Sequence, residues 1–173
     1  MRYSVFPQCR RVAGGMIADM TDPILHIVLH QPEIPFNAGN VGRTCVAIGA
    51  KLWLVRPLGF ETDNRHVRRA GLDYWQHLCW EIVDDWPTLV SRLPDRRFWF
   101  LSKTATKCYT DAKFERGNVL VFGSESKGLP REMLDENSET CLRIPMDARV
   151  RSLNLSASMA IVAYEAVRQW RVE

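Results

Sequence analysis

The sequence predicts an α/β fold, a mostly parallel sheet with helices on both faces. Three observations carry that expectation. Short β-branched or aromatic runs recur along the chain, stretches with helical spacing lie between them, and polar, glycine-bearing loops follow several of the runs. Size agrees, because 173 residues with 46% hydrophobic and 25% charged side chains suit one compact domain rather than two.

Residues 1–22 mix Gly, Pro and basic side chains without any period, and we read them as a flexible extension ahead of a domain spanning 23–173; Met16 and Met20 are alternative start sites. Ile24–His30 is apolar and β-branched, hence a strand. The turn-rich QPEIPFNAGN that follows ends in residues suited to opening a helix, and Val41, Cys45 and Ile48 continue at helical spacing. Lys51–Val55, Leu78–Val83, Arg97–Leu101, Val119–Gly123 and Thr140–Ile144 read as further short strands. Helical segments are expected at 62–70, 84–93 and 130–136, with Asp84-Asp85 complementing a helix dipole and Pro130 in a first turn. The long helix expected over about 153–170 is apolar around most of its circumference, which means burial on several sides, either inside one chain or against a second subunit.

Charge narrows the function classes. A net charge of +3 is too mild to mark a nucleic-acid protein through bulk electrostatics, but it is built from 18 Arg and only 5 Lys, and Arg favours planar, bidentate recognition of phosphate and carboxylate. The five cysteines lie 29 to 36 residues apart without a C-x-x-C pair, which argues against a zinc knuckle and for reduced thiols in a cytosol. No apolar run approaches the ~18–20 residues needed to span a bilayer, nor is there a secretory h-region, so no membrane partner is expected. His26 and His30 share a strand face, yet no carboxylate or cysteine completes a metal site, and no metal is expected. A G-x-S-x-G elbow and the dinucleotide glycine fingerprint are both missing, which disfavours a serine hydrolase and a nicotinamide-dependent enzyme.

Three polar constellations sit where α/β proteins place ligands, beyond the C-terminal ends of strands. Asn37-Ala-Gly-Asn40-Val-Gly-Arg43 opens a helix, with Asn37 or Asn40 able to cap it and Asn40 and Arg43 sharing a face. Gly123-Ser-Glu125-Ser-Lys-Gly128-Leu-Pro130 is a glycine-bracketed loop with one carboxylate at its rim. Ile144-Pro-Met146 and Arg151-Ser152-Leu-Asn154-Leu-Ser156 bring hydroxyl and amide groups to the start of the long helix, more of them than capping alone requires. Arg65, Arg68 and Arg69 beside Tyr74 and Trp75 form a basic and aromatic cluster, read either as a phosphate and base contact or as a solvated helix face.

In this order, N-A-G-N-V-G-R, V-F-G-S-E-S-K-G-L-P and R-I-P-M…R-S-L-N-L-S resemble the three motifs of the SPOUT (SpoU–TrmD) RNA methyltransferases. The likeness to the small TrmL/YibK group runs from Ile24 to Trp170 and includes RRAGLDYW. The resemblance implies a deep trefoil knot at the C-terminal end and a homodimer packed through helices that include the last. It implies transfer of a methyl group from S-adenosylmethionine to the ribose 2′-hydroxyl of the wobble nucleotide, position 34, in the anticodon stem-loop of leucine tRNAs. Carried over onto this sequence, cofactor contacts fall at Leu101, Gly123, Ile144 and Ser152, and the catalytic positions at Asn37, Arg43, Glu125, Ser152 and Asn154. Arg43 is expected to reach toward the partner's cofactor. The alternatives are another tRNA or rRNA nucleotide as target, or a non-catalytic RNA-binding dimer that keeps the fold.

Overall fold

The computed structural model describes residues 23–61 and 74–171. The expected extension 1–22, the helix expected at 62–70 and the cluster Arg65, Arg68 and Arg69 lie outside the described residues.

Seven strands build one sheet among the described residues: β1 (His26–His30), β2 (Lys51–Val55), β3 (Trp80–Val83), β4 (Phe98–Leu101), β5 (Lys107–Cys108), β6 (Val119–Phe122) and β7 (Cys141–Arg143). Their order is β3-β2-β1-β6-β4-β7-β5 and every pairing is parallel. All strands therefore end on one side of the sheet, and the loops that follow them share that side. Among the described residues, four α-helices accompany them: α1 (Pro35–Ile48), α2 (Trp86–Arg92), α3 (Arg131–Glu136) and α4 (Leu155–Arg171).

Period-2 alternation divides the core into two layers. Ile27 and Leu29 of β1, with Leu52, Leu54, Leu120 and Phe122, pack beneath α1 and α4, whereas Val28, Trp53, Val121 and Phe100 pack beneath Leu89 of α2 and Met133 of α3. Helices thus cover both faces, as expected. Helix α4 buries Met159, Val162, Ala163 and Ala166 completely against this core, and its small residues let it approach α1 closely. Its C-terminal end is lashed to the segment before β6: Gln169 donates to the Ala112 carbonyl and accepts from the Phe114 N–H, and the Trp170 indole donates to the Phe114 carbonyl.

Most departures from expectation are at element ends. Helix α1 begins at Pro35, earlier than the capping role expected of Asn37 or Asn40 allows; proline has no N–H to satisfy and its φ suits a first helical position. The helix stops at Gly49, whose φ of +73° permits the left-handed turn that lets the Ala50 N–H reach the Cys45 carbonyl. Asp85 caps α2 by accepting from the Thr88 N–H, which bears out the reading of Asp84-Asp85. Pro130 stands just before α3 rather than within its first turn. Residues 75–77 of the stretch before β3 form a short 3-10 turn. The two-residue edge strand β5 was not expected, having too few residues to show a period.

Candidate active site

A cleft of about 850 Å³ opens beyond the C-terminal ends of β4, β6 and β7. Its floor is apolar, from Leu101, Phe122, Leu142 and Ile144, and its walls are the loops after those strands together with the first turns of α1 and α4. Of the eight residues singled out from the sequence, seven line this cleft: Asn37, Leu101, Gly123, Glu125, Ile144, Ser152 and Asn154. Arg43 does not. It lies on the exposed side of α1, with its guanidinium over the Tyr74 ring.

One hydrogen-bond chain joins the three motifs across the mouth of the cleft. Glu125 accepts from the backbone N–H of Glu33 (2.8 Å), the backbone N–H of Ile34 (3.2 Å) and Asn37 Nδ2 (2.8 Å). A carboxylate from a distant loop thus supplies the N-terminal cap of α1 that no residue of the helix provides, where the helix dipole favours negative charge. Asn37, almost fully buried, turns its Oδ1 to accept from Asn154 Nδ2 at 2.9 Å. Asn154 Oδ1 in turn accepts from the N–H groups of Ser156 and Ala157 and from the Ser156 hydroxyl, which caps α4. Every member has a partner on each side, so the orientation of the Asn37 amide is fixed.

A second bond pair runs the other way between the same two loops. Glu33 accepts from the Ser126 N–H at 3.0 Å and from the Ser126 hydroxyl at 2.5 Å, so the carboxylates of Glu33 and Glu125 each hold the other's loop. Sequence reasoning passes over Glu33 and Ser126: Ser126 adjoins Glu125 in its loop, whereas nothing local links Glu33 to a carboxylate 92 residues away. The loop itself is drawn shut by a bridge between Ser124 and Gly128, where the Gly128 φ of +72° excludes most side chains. Gly123 is required for space: a Cβ there would stand 2.0 Å from the Gly128 carbonyl carbon.

Around the cleft, Lys103, Lys127 and Arg131 present positive charge at the rim. Arg149 grips Asp147 with two hydrogen bonds, which holds the Asp147 carboxyl below its ordinary range. Burial, reinforced by Asp135, pushes the Cys141 thiol up, and burial alone raises Cys45, so neither is poised as a nucleophile. His26 accepts from the Trp53 indole at 3.1 Å, and His30 meets Trp86 edge-on. No group of three metal-ligating side chains occurs among the described residues.

Comparison with known proteins gives a consistent result. The model of the SpoU rRNA Methylase family matches residues 24–164. A tRNA (cytidine(34)-2'-O)-methyltransferase from Methylovorus glucosotrophus is 42% identical over 144 residues, covering 83% of this chain and 94% of that protein. A solved structure concerned with the 2-OH methylation of C/U34 on tRNA superposes with a TM-score of 0.82 at 44% identity, over 87% of this chain and 99% of the other. An AdoMet-bound rRNA methyltransferase from Sinorhizobium meliloti shares the fold, with a TM-score of 0.74 at 24% identity over 83% of this chain and 56% of its own.

Proposed function

We infer, from the premise that this chain belongs to the SpoU rRNA Methylase family, that it methylates the ribose 2′-hydroxyl of the wobble nucleotide, cytidine or modified uridine at position 34, in leucine tRNAs. The methyl donor is S-adenosylmethionine and the working form is a homodimer in the cytoplasm. The observation that carries this reading is the Glu125–Asn37–Asn154 chain, which ties the three motifs into one rigid rim over a cleft of ligand size.

The cleft suits the donor. Its volume lies within the roughly 300–1,000 Å³ usual for small-molecule sites, and its apolar floor with closely folded, glycine-bearing loops offers van der Waals surface and main-chain groups to a nucleoside. Leu101, Gly123, Ile144 and Ser152 are the residues that would hold it. Bound there, S-adenosylmethionine supplies a methyl group on a positively charged sulfur, already a strong electrophile.

What the protein adds is position and charge. Both Glu125 oxygens accept from N–H donors, so Glu125 holds the start of α1 and Asn37 rather than abstracting a proton. Asn37 and Asn154 shape the polar side of the cleft, with Ser152 beside them. Arg43 orients the 2′-hydroxyl and the neighbouring phosphate and stabilises the charge that develops on the ribose oxygen; a guanidinium is a poor proton acceptor, so the proton leaves to phosphate or water. Because Arg43 lies outside its own chain's cleft, this role is performed in the cleft of the partner subunit.

The domain is taken as 23–173, with the trefoil knot at its C-terminal end. The insertion of β7 between β4 and β5 and the return of α4 onto α1 support that threading. Lysines and arginine at the cleft rim support RNA as the substrate that approaches it. The deciding experiment maps 2′-O-methylation by mass spectrometry in tRNA from a strain lacking this gene. Loss of ribose methylation at position 34 of leucine tRNAs, restored by the wild-type gene, is expected. An unchanged position 34 refutes the assignment.

A further inference from the structure

Arg43 extends from the middle of α1 into an exposed position, where an unrestrained arginine samples many rotamers. It is not unrestrained. Its guanidinium carbon lies 4.8 Å from the centroid of the Tyr74 ring, within cation–π range. The Tyr74 hydroxyl donates to the Gly39 carbonyl at 3.0 Å. Gly39 is four residues before Arg43 on the same helix, hence on the same face, so the ring lies along one turn of α1 with its far end fastened and its face beneath the cation.

The segment carrying Tyr74 is itself pressed against α1. Tyr74 meets Trp75 edge-on at 6.4 Å, and Trp75 meets Trp80 of β3 edge-on at 5.4 Å, which links this shelf to the sheet. The shelf can approach because α1 has a glycine beneath it: a Cβ on Gly42 would stand 2.9 Å from Trp75 Cζ3 and 2.9 Å from Leu78 Cδ2. The sequence places Tyr74 and Trp75 beside a basic cluster, read either as a phosphate and base contact or as a solvated helix face; in the structure the Arg43 guanidinium lies over the Tyr74 ring.

We infer that Tyr74 is a positioning residue for Arg43: its ring and its bond to Gly39 pre-orient the guanidinium toward the place where the ribose reacts. The inference rests on the assignment of Arg43 to the reacting centre. Orientation set before the substrate arrives lowers the barrier of the chemical step without strengthening cofactor binding. Tyr74 lies outside the lining of its own chain's cleft, and its assigned action is through Arg43.

The test replaces Tyr74 in the full-length enzyme and follows two readouts. Tyr74→Leu is expected to lower kcat about tenfold while the dissociation constant for S-adenosylmethionine changes less than about twofold, and Tyr74→Phe to recover most of the loss. Phenylalanines carrying one, two and three ring fluorines at position 74 keep the shape but drain the negative face of the ring, so kcat is expected to fall step by step along the series. A role limited to packing would leave that series flat. Independently of activity, NMR of the Arg43 side chain is expected to show a ring-current shift that Tyr74→Leu abolishes. A flat fluorine series together with an unmoved Arg43 resonance overturns the inference. A resonance that moves while every rate stays level supports the hold on Arg43 and refutes instead the assignment of Arg43 to the reacting centre.

Discussion

At the scale of single residues, Glu125 shows how a motif carboxylate is used. Its three N–H partners leave it acting as an anion that ties the β6–α3 loop to the start of α1. Glu125→Gln replaces one acceptor oxygen by an NH2 group that faces a donor, an unsatisfied arrangement that costs about 1–3 kcal/mol of stability. Because Asn37 shifts with it, turnover is expected to fall about tenfold or more while calorimetric affinity for S-adenosylmethionine changes less; the reverse split would move Glu125 into direct cofactor contact. His30 makes a separate prediction. Burial holds its imidazole below the ordinary value, so the neutral form is favoured in the folded state. Above the unfolded value of about 6.5 both states are neutral and His30 adds no pH dependence. As pH falls through that value the unfolded chain takes up its proton first, and stability declines until the lowered folded value is passed. Urea midpoints measured between pH 7.5 and about 5 are expected to fall less steeply for His30→Gln than for wild type. An identical slope would mean that His30 titrates alike in both states.

At the scale of elements, glycine separates what can yield from what cannot. A methyl on Gly123 would meet backbone, the Gly128 carbonyl carbon at 2.0 Å and the Leu129 nitrogen at 2.2 Å, so Gly123→Ala must open the loop that closes the cleft and is expected to cost about 3 kcal/mol or more. A methyl on Gly42 meets only the ends of Trp75 and Leu78, and alanine's helix preference, about 1 kcal/mol over glycine, offsets part of the overpacking. Gly42→Ala is therefore expected to cost about 1 kcal/mol net and to disturb the Arg43 side chain more than the fold. Thermal melts of the two variants check the ranking, and equal losses would contradict it. The same contrast explains what the sequence reveals of these elements. β1, β2, β4 and β6 were legible because buried parallel strands carry continuous apolar runs such as Leu52–Val55 and Val119–Phe122. The start of α1 was misplaced because its cap is Glu125, some 90 residues away, and no local pattern encodes a cap supplied by another loop. Seven of the eight candidate residues meet in one cleft because their motifs follow strands that end on the same side, while Glu33, Ser126 and Tyr74 became visible only through their partners.

At the scale of the whole molecule, the position of Arg43 makes assembly a condition of the proposed chemistry. The cleft and the guanidinium belong to different surfaces of one chain, so the proposed chemistry needs two chains. Helices α1 and α4, which pack on each other within the chain, also expose Phe36 (61%), Tyr164 (51%) and Ile161 (38%), large apolar side chains that a lone subunit would leave in water. The core of α4 is satisfied by Met159, Val162 and Ala166 on its buried side, so substitutions at 161 and 164 leave the interior untouched. Ile161→Glu combined with Tyr164→Glu is expected to convert a dimer into a folded monomer, read by sedimentation velocity and circular dichroism, and to abolish methyl transfer. Mixing separates assembly from chemistry. An Arg43→Ala subunit has an intact cleft, and a Gly123→Ala subunit keeps its arginine, so heterodimers of these two inactive variants would regain one complete site if Arg43 serves the partner's cleft. Recovery toward half of the wild-type activity per dimer is expected where such heterodimers form. No recovery from verified heterodimers, or a wild-type enzyme that is fully active as a monomer, would place Arg43 outside the reaction.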